Sequence, residues 1–451
     1  MNKMRNNEIQ FVDQTLRDAQ QSMWGNLMPT DMILPIAHVI DQVGYKAIAI
    51  GGGRCAVIAK RYLHEDFFER LRLLAKKIAK TPLRSSFATW SPFGFGLEPV
   101  ATSELWIKLL ISYGIREFWF VNYQNLSEKE RYLAGVAKAG GAKIAASLIY
   151  TVSPVHTNEH WAKRVRRMVE TSDIDIIQTE DTGGVLTPQT TPGWIRAIKK
   201  ESKGLPIEFH SHCTTGAAPM CYVEALKEGL RTMHTAVLPL ANGPSLPSIE
   251  NTIKNAQIMG YTTNLDMEAL KVVSGHFTKE AKERGLRLGA PVEYDLSQSW
   301  HQIPGGMMGT LRNQLAEIKQ EHRLQEVLEE TGQVRREFGY PVMGTPYSQF
   351  VGAQALFNIT AGERYKIVSD EVIRYMLGHY GEIDGPVNPN VKDKILSSPK
   401  AKKWLKWKEP EVTVKDMRQL EPRLSDEELL LKIADPEGEF KDKLRALYGW
   451  A

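Results

Sequence analysis

The 451-residue chain is 42% apolar, 24% charged and 9% aromatic with a formal net charge of +4, a globular composition long enough for one large domain and a smaller one. No run of 18 apolar residues offers a membrane span, and so small a net charge gives no ground for nucleic acid as a partner. Cys55, Cys213 and Cys221 fit neither a zinc pattern nor a disulfide framework, and the opening "MNKMRNNEIQ" lacks the apolar core of a signal peptide, so a cytoplasmic location is expected.

From Glu8 to about residue 260, short apolar runs alternate with amphipathic segments of helix length. The predicted strands are "IQFVDQT", "KAIAIGG", "PLRSSFA", "EFWFVN", "KIAASLIYT", "IDIIQTE", "PIEFHSH" and "TMHTAVLPL". Between them lie predicted helices such as "DMILPIAHVIDQV", "EDFFERLRLLAKKIAK", "TSELWIKLLISYG", "HWAKRVRRMVET", "GWIRAIKKES" and "PMCYVEALKEG". Alternation of this kind implies a parallel sheet with crossover connections, and eight units in about 250 residues match an α/β (β/α)8 barrel. A doubly wound open sheet is the other candidate. Against it, "DQTLRDAQQS" follows the first strand where a glycine-rich phosphate loop would stand.

Beyond residue 265 helical periodicity takes over, in "DMEALKVVSGHFTKEAKERG" and "LRNQLAEIKQEHRLQEVLEETGQVRREFG". Two Gly/Pro-rich stretches, "QIPGGMMG" and "GYPVMGTPYSQFVG", read as loops. The expected division is a barrel domain over 1–300 and a mostly helical domain over 301–451. A lysine-rich segment from Lys392, with Trp404 and Trp407 inside it, reads as a solvated helix or an oligomer contact, docking of an acidic partner being the alternative.

Barrel enzymes carry reactive groups at the C-terminal ends of their strands. Asp13 and Asp18 follow the first strand, Arg84 lies in the third, Asn122 ends the fourth, Glu180 and Asp181 end the sixth, and His210 and His212 end the seventh. Strand residues two apart share a face, so His210 and His212 project together with Ser211 turned away. Two imidazoles and a carboxylate from another strand make a common divalent-metal site with positions left open for substrate. A structural pair of histidines ending a strand is the plainer alternative. Cys213 reads as a small filler, since no base is placed for it by spacing, and His156, His160, His234 and His301 read as structural or exposed.

The combination of blocks resembles the biotin-dependent carboxyltransferases acting on 2-oxo acids, which include the pyruvate carboxylase carboxyltransferase domain, the oxaloacetate decarboxylase α subunit and the transcarboxylase 5S subunit. "DQTLRDAQQS" is similar to the family's D-x-T-x-R-D-x-x-Q-S signature. "YLHEDFFERLRLLAKK", "TGGVLTP", "HSHCTTG", "HQIPGGMMGTLRNQLAE" and "PVMGTPYSQFVGAQALFNITAGERYK" resemble further family blocks. The resemblance implies that Asp18, His210 and His212 bind a divalent metal (zinc, manganese or cobalt). It implies that Gln21 and Arg84 hold the keto acid, a salt bridge capping a barrel strand being the other reading of Arg84, and that Arg17 is the active-site arginine beside the metal. A 2-oxo acid needs a Lewis acid on its carbonyl and a guanidinium fork on its carboxylate, and these assignments supply both.

Several positions depart from the family pattern. Glu180 stands where a carboxylated lysine supplies a further metal ligand, and its stem is shorter by roughly 3–4 Å at about 1.5 Å per bond. It is expected to act there only through a shift of metal or backbone, through a bridging water, or from just outside the ligand sphere, a site without metal being the other expectation. Cys213 replaces an aspartate, Asn122 an aspartate, Trp119 an arginine and Gly51 a tryptophan. Gly309 occupies the place of a threonine or serine beside keto acid and biotin. The outer pocket is therefore expected to be rebuilt, with Arg17, Gln21, Arg84 and Glu180 as its catalytic residues and Gln21, Arg84 and Gly309 at the substrate.

The resemblance implies a carboxyltransferase subunit moving CO2 between carboxybiotin and a small enolisable carbonyl compound. The family's biotinylated lysine lies in A-M-K-M, which does not occur here, so the biotin is expected on a separate carrier protein and the biotin carboxylase on another polypeptide. A homo-oligomer is also expected. Two alternatives remain open: a biotin-independent metal-dependent lyase or aldolase of the hydroxymethylglutaryl-CoA lyase type, and a non-catalytic subunit that keeps the barrel.

Overall fold

The computed structural model describes residues 7–94, 97–121, 127–435 and 438–449. Eight parallel strands close into a barrel: β1 (Gln10–Asp13), β2 (Ala47–Ala49), β3 (Leu83–Ala88), β4 (Glu117–Val121), β5 (Lys143–Ile149), β6 (Ile176–Asp181), β7 (Ile207–Ser211) and β8 (Thr232–Thr235). Pairing of β1 with β8, Phe11 opposite Met233, removes both edges and excludes the open sheet. Each predicted strand run falls on one of the eight. Asn122, singled out at the end of β4, lies outside the described residues.

The crossover helices form where amphipathic spacing and capping coincide. Phe67–Lys77 starts at Asp66, whose carboxylate accepts from the backbone N–H of Phe68 and Glu69. It buries Phe67, Phe68, Leu71 and Leu74, and Phe67 stacks on Trp106 of the helix Val100–Ser112. The stretch expected as one helix before β2 is two, Thr30–Ile33 and Ala37–Gln42, because Pro35 cannot donate to an interior helical bond.

Beyond the barrel the chain is helical, with one departure from expectation. "QIPGGMMG" is not a loop throughout: the helix Gly305–Glu317 begins directly after Pro304. Glycine is tolerable there because the first turn's N–H groups lack intrahelical partners in any case. "GYPVMGTPYSQFVG" likewise enters the helix Tyr347–Thr360, which packs beside Leu324–Glu337. The lysine-rich segment folds as Pro389–Leu396 and Ala401–Lys406. Trp404 is buried as its anchor, while Lys400 and Lys403 pair with Asp370 and Lys394 with Glu363.

The helical region sits on the C-terminal ends of the strands. Just past β5, Thr151 Oγ1 donates to Gln302 Oε1 at 2.8 Å and accepts from Arg335 Nη2 at 2.8 Å. Arg335 also donates to the Val152 carbonyl at 2.7 Å. Burial draws the Arg335 pKa down to about 10. A second clasp joins the barrel helix Asn158–Thr171 to the segment after residue 380: Asp384 accepts from Arg164 and lies 3.1 Å from His156 Nε2. His156, and His160 at 3.8 Å from Asp384, thus belong to a clasp between regions and do not line the cavity described below. Asp384→Ala leaves Arg164 without that carboxylate in a poorly hydrated place, and urea unfolding is expected to show a loss of about 3 kcal/mol. No change in the unfolding midpoint would remove the clasp.

Candidate metal centre and active site

The mouth is assembled by register. Glu180 of β6 stands opposite His210 of β7, and Asp181 opposite Ser211, so Glu180 and His210 are neighbours facing one interior. Asp181 turns to structural work, accepting from Val185 N, Leu186 N and Ser211 Oγ at 2.8–2.9 Å and tying the loops after β6 and β7 together. Asp18 is delivered by a π-helical turn, Thr15–Ala19, immediately after β1, a kind of turn common at functional sites.

Asp18, His210 and His212 converge. His210 Nε2 lies 3.4 Å from Asp18 Oδ2, and His212 Nε2 lies 3.5 Å from Asp18 Oδ1. All three are buried, and their donor atoms lie within 4.8 Å of one another. Among the described residues neither histidine Nε2 has a hydrogen-bond partner. Buried imidazole nitrogens are normally satisfied. Two orphaned together beside one carboxylate fit a divalent cation, for which neutral imidazoles and a carboxylate are suitable ligands. His212 Nδ1 lies 2.7 Å from the Pro244 carbonyl, which can only accept, so that nitrogen carries the proton and Nε2 faces the cluster.

Burial and neighbours set the charges. Burial opposes ionisation of Asp18, but His212 and Arg17 outweigh it and hold the carboxyl well below its usual range. Burial takes His210 down to about 3, keeping it neutral. For His212 burial works the same way, but Asp18 overrides it and raises the pKa. Burial also lifts Glu180 to about 7, with Arg17 opposing and Asp18 assisting. Glu180 Oε2 has no partner among the described residues. Nor, among those residues, does Glu180 join the convergent donor set, in keeping with its short stem.

Arg17 is fixed on three sides. Its Nη1 donates to Asp18 Oδ2 at 2.6 Å, its Nε to Ser86 Oγ at 3.0 Å, and its guanidinium lies 3.9 Å from the centroid of the buried Trp119 ring. Trp119 is therefore a cation–π platform, in register beside Ser86. Arg17, Asp18, Gln21, Glu180 and His212 line one cavity of about 310 Å³, with His210 completely buried beside it. Arg54, Ser91 and Phe93 add a second wall, and Met307, Thr345, Ser348 and Gln349 of the helical region a third.

Two expected substrate contacts are corrected. Arg84 does not reach the cavity: it is completely buried inside the barrel, held by Glu117 at 2.8 Å and Glu208 at 2.5 Å. Gly309 is exposed, one helical turn beyond Gly305, and an added Cβ would meet nothing within 4 Å; Gly305 and Met307 line the cavity instead. Burial also raises the Cys213 thiol pKa, which suits a filler and not a nucleophile. Sequence reading passed over Glu208 and took His234 only as structural or exposed; both are completely buried, with His234 joining Glu208 to His210. The signal available was a glutamate two residues before His210 in β7 and a histidine in the middle of β8.

A pyruvate carboxylase subunit of Methanocaldococcus jannaschii is 35% identical over 390 residues, 86% of this chain and 68% of that protein. The chain belongs to the biotin-dependent carboxyltransferase family. Within it, the 2-oxoglutarate carboxylase large subunit of Hydrogenobacter thermophilus is 30% identical, covering 86% of this chain and 60% of that protein. Residues 299–442 match the model of a conserved carboxylase domain and residues 124–275 an HMGL-like model. The carboxyltransferase domain of Rhizobium etli pyruvate carboxylase, solved with pyruvate, has the same fold, with a TM-score of 0.85 at 20% identity over 98% of this chain and 78% of that one. This chain spans 46% of a longer Rhizobium etli pyruvate carboxylase chain.

His212→Ala in this carboxyltransferase is expected to abolish retention of zinc, manganese or cobalt through dialysis while shifting the melting temperature little, since mouth residues serve the site and not the barrel core. Metal analysis beside a thermal melt checks both halves.

Proposed function

We propose that this chain moves a carboxyl group between carboxybiotin and a small 2-oxo acid. The convergence of Asp18, His210 and His212 at a barrel mouth, with Arg17 beside them, carries the reading. A divalent cation held by those three side chains would polarise the acceptor's carbonyl and favour its enolate. Arg17, Arg54 and Gln21 supply the polar grip on the acceptor that Arg84 does not. Glu180, buried in the same cavity, takes the proton from the acceptor carbon. A new C–C bond forms to the carboxyl group, the bond between that carboxyl and the biotin ureido nitrogen breaks, and the proton returns to that nitrogen.

Relatives that are single subunits of larger carboxylases support a biotin carrier and a biotin carboxylase on other polypeptides. We place the boundary between barrel and helical domains near residue 300, where the carboxylase-domain match begins. That match and the named relatives favour carboxyl transfer over a biotin-independent lyase.

Purified protein incubated with free carboxybiotin and a panel of 2-oxo acids is expected to consume carboxybiotin in a metal-dependent way. No consumption with any acceptor sinks the reading. Glu180→Gln is expected to lower kcat by about 10²- to 10⁴-fold with metal content unchanged, as removal of a general base does. Arg54→Gln is expected to raise the acceptor KM by about 10- to 100-fold with little effect on kcat, the range for a lost hydrogen bond to a charged group.

A further inference from the structure

We infer that Glu208 and His234 are positioning residues that select which nitrogen His210 turns toward the metal site. The inference rests on the metal reading of Asp18, His210 and His212. Glu208 is completely buried and ion-paired with Arg84 at 2.5 Å and Lys46 at 3.0 Å. Two cations within 3.0 Å hold it as the carboxylate. An ionised carboxylate only accepts hydrogen bonds, so His234 Nε2, 2.9 Å from Glu208 Oε2, is the protonated nitrogen.

The other nitrogen of His234 must then accept if the ring is neutral. It faces two groups. Gln14 Nε2 donates to it from 2.9 Å, and His210 Nδ1 lies 3.2 Å away. Two ring nitrogens can share a hydrogen bond only if one carries the proton and the other does not. With the Gln14 amide already directed at His234 Nδ1, the proton belongs to His210 Nδ1. His210 Nε2 is left with its lone pair facing the space shared with Asp18 and His212, 3.4 Å from Asp18 Oδ2 and with no hydrogen-bond partner of its own among the described residues.

The opposite arrangement would place a proton on His210 Nε2 and close it to a cation. The hydrogen-bond order running from Arg84 and Lys46 through Glu208 and His234 therefore pre-sets a ligand before any ion arrives, which lowers the cost of ligation without touching the ion. Glu208, His234 and Gln14 do not line the cavity and hence do not meet the acceptor.

Two substitutions separate positioning from packing. His234→Asn keeps an acceptor oxygen that can reach toward His210 Nδ1; His234→Leu keeps bulk and removes the acceptor. Cobalt(II) affinity, measured by competition with a chelator, is expected to fall about 10- to 100-fold in the leucine variant and to be largely retained in the asparagine variant. Histidine ¹⁵N NMR of the metal-free wild type is expected to show His210 protonated at Nδ1 alone, and His234→Leu to lose that preference. Equal losses in both variants, or a wild-type His210 protonated at Nε2, overturn the inference. A wild type that binds no divalent ion overturns the metal reading instead, while the NMR result still decides the tautomer.

Discussion

The site depends on a buried ion pair beneath the mouth of the barrel. Arg84 and Glu208 meet at 2.5 Å in the barrel interior with neither side chain exposed. Burying two charges costs several kcal/mol per ion unless each is met by partners of good geometry. Glu117, Gln178, Lys46 and His234 supply those partners. Barrel interiors are usually filled by branched apolar side chains. This one devotes a layer to charge, and the layer above it is the candidate metal centre.

That arrangement changes what a motif-matching residue means. Arg84 fits a substrate-binding pattern by its place in the third strand, yet its neighbours in the fold are carboxylates from β4 and β7. Its guanidinium is wholly engaged there. Arg17 brings positive charge to the mouth beside the cluster, its guanidinium over the Trp119 ring and anchored to Ser86. A tryptophan in place of the family's arginine is thus not a bare loss: the indole gives Arg17 a surface to rest on.

The helical region completes the cavity from above. Arg335 and Gln302 fasten it to the end of β5, and Met307, Thr345, Ser348 and Gln349 then share a cavity with Asp18 and His212. Some of these wall segments lie more than 300 residues from the first strand, so no local feature of sequence reports the cavity's shape. Gly309 illustrates the consequence. Its place in the motif suggested contact with substrate, but the helix it belongs to begins at Gly305 and carries position 309 out to solvent.

The amino-acid sequence by itself determined the eight strands, their order and the shared face of His210 and His212, because strand periodicity and the H-x-H spacing are local properties written in consecutive residues. The departure at Glu180 was legible for the same reason, since the reach of a side chain is fixed by its covalent length. Only the tertiary structure decided the surroundings of Arg84, Glu208, His234 and Trp119. Each depends on which strand lies beside it, and in a closed barrel a side chain's partners come from strands far apart in the chain.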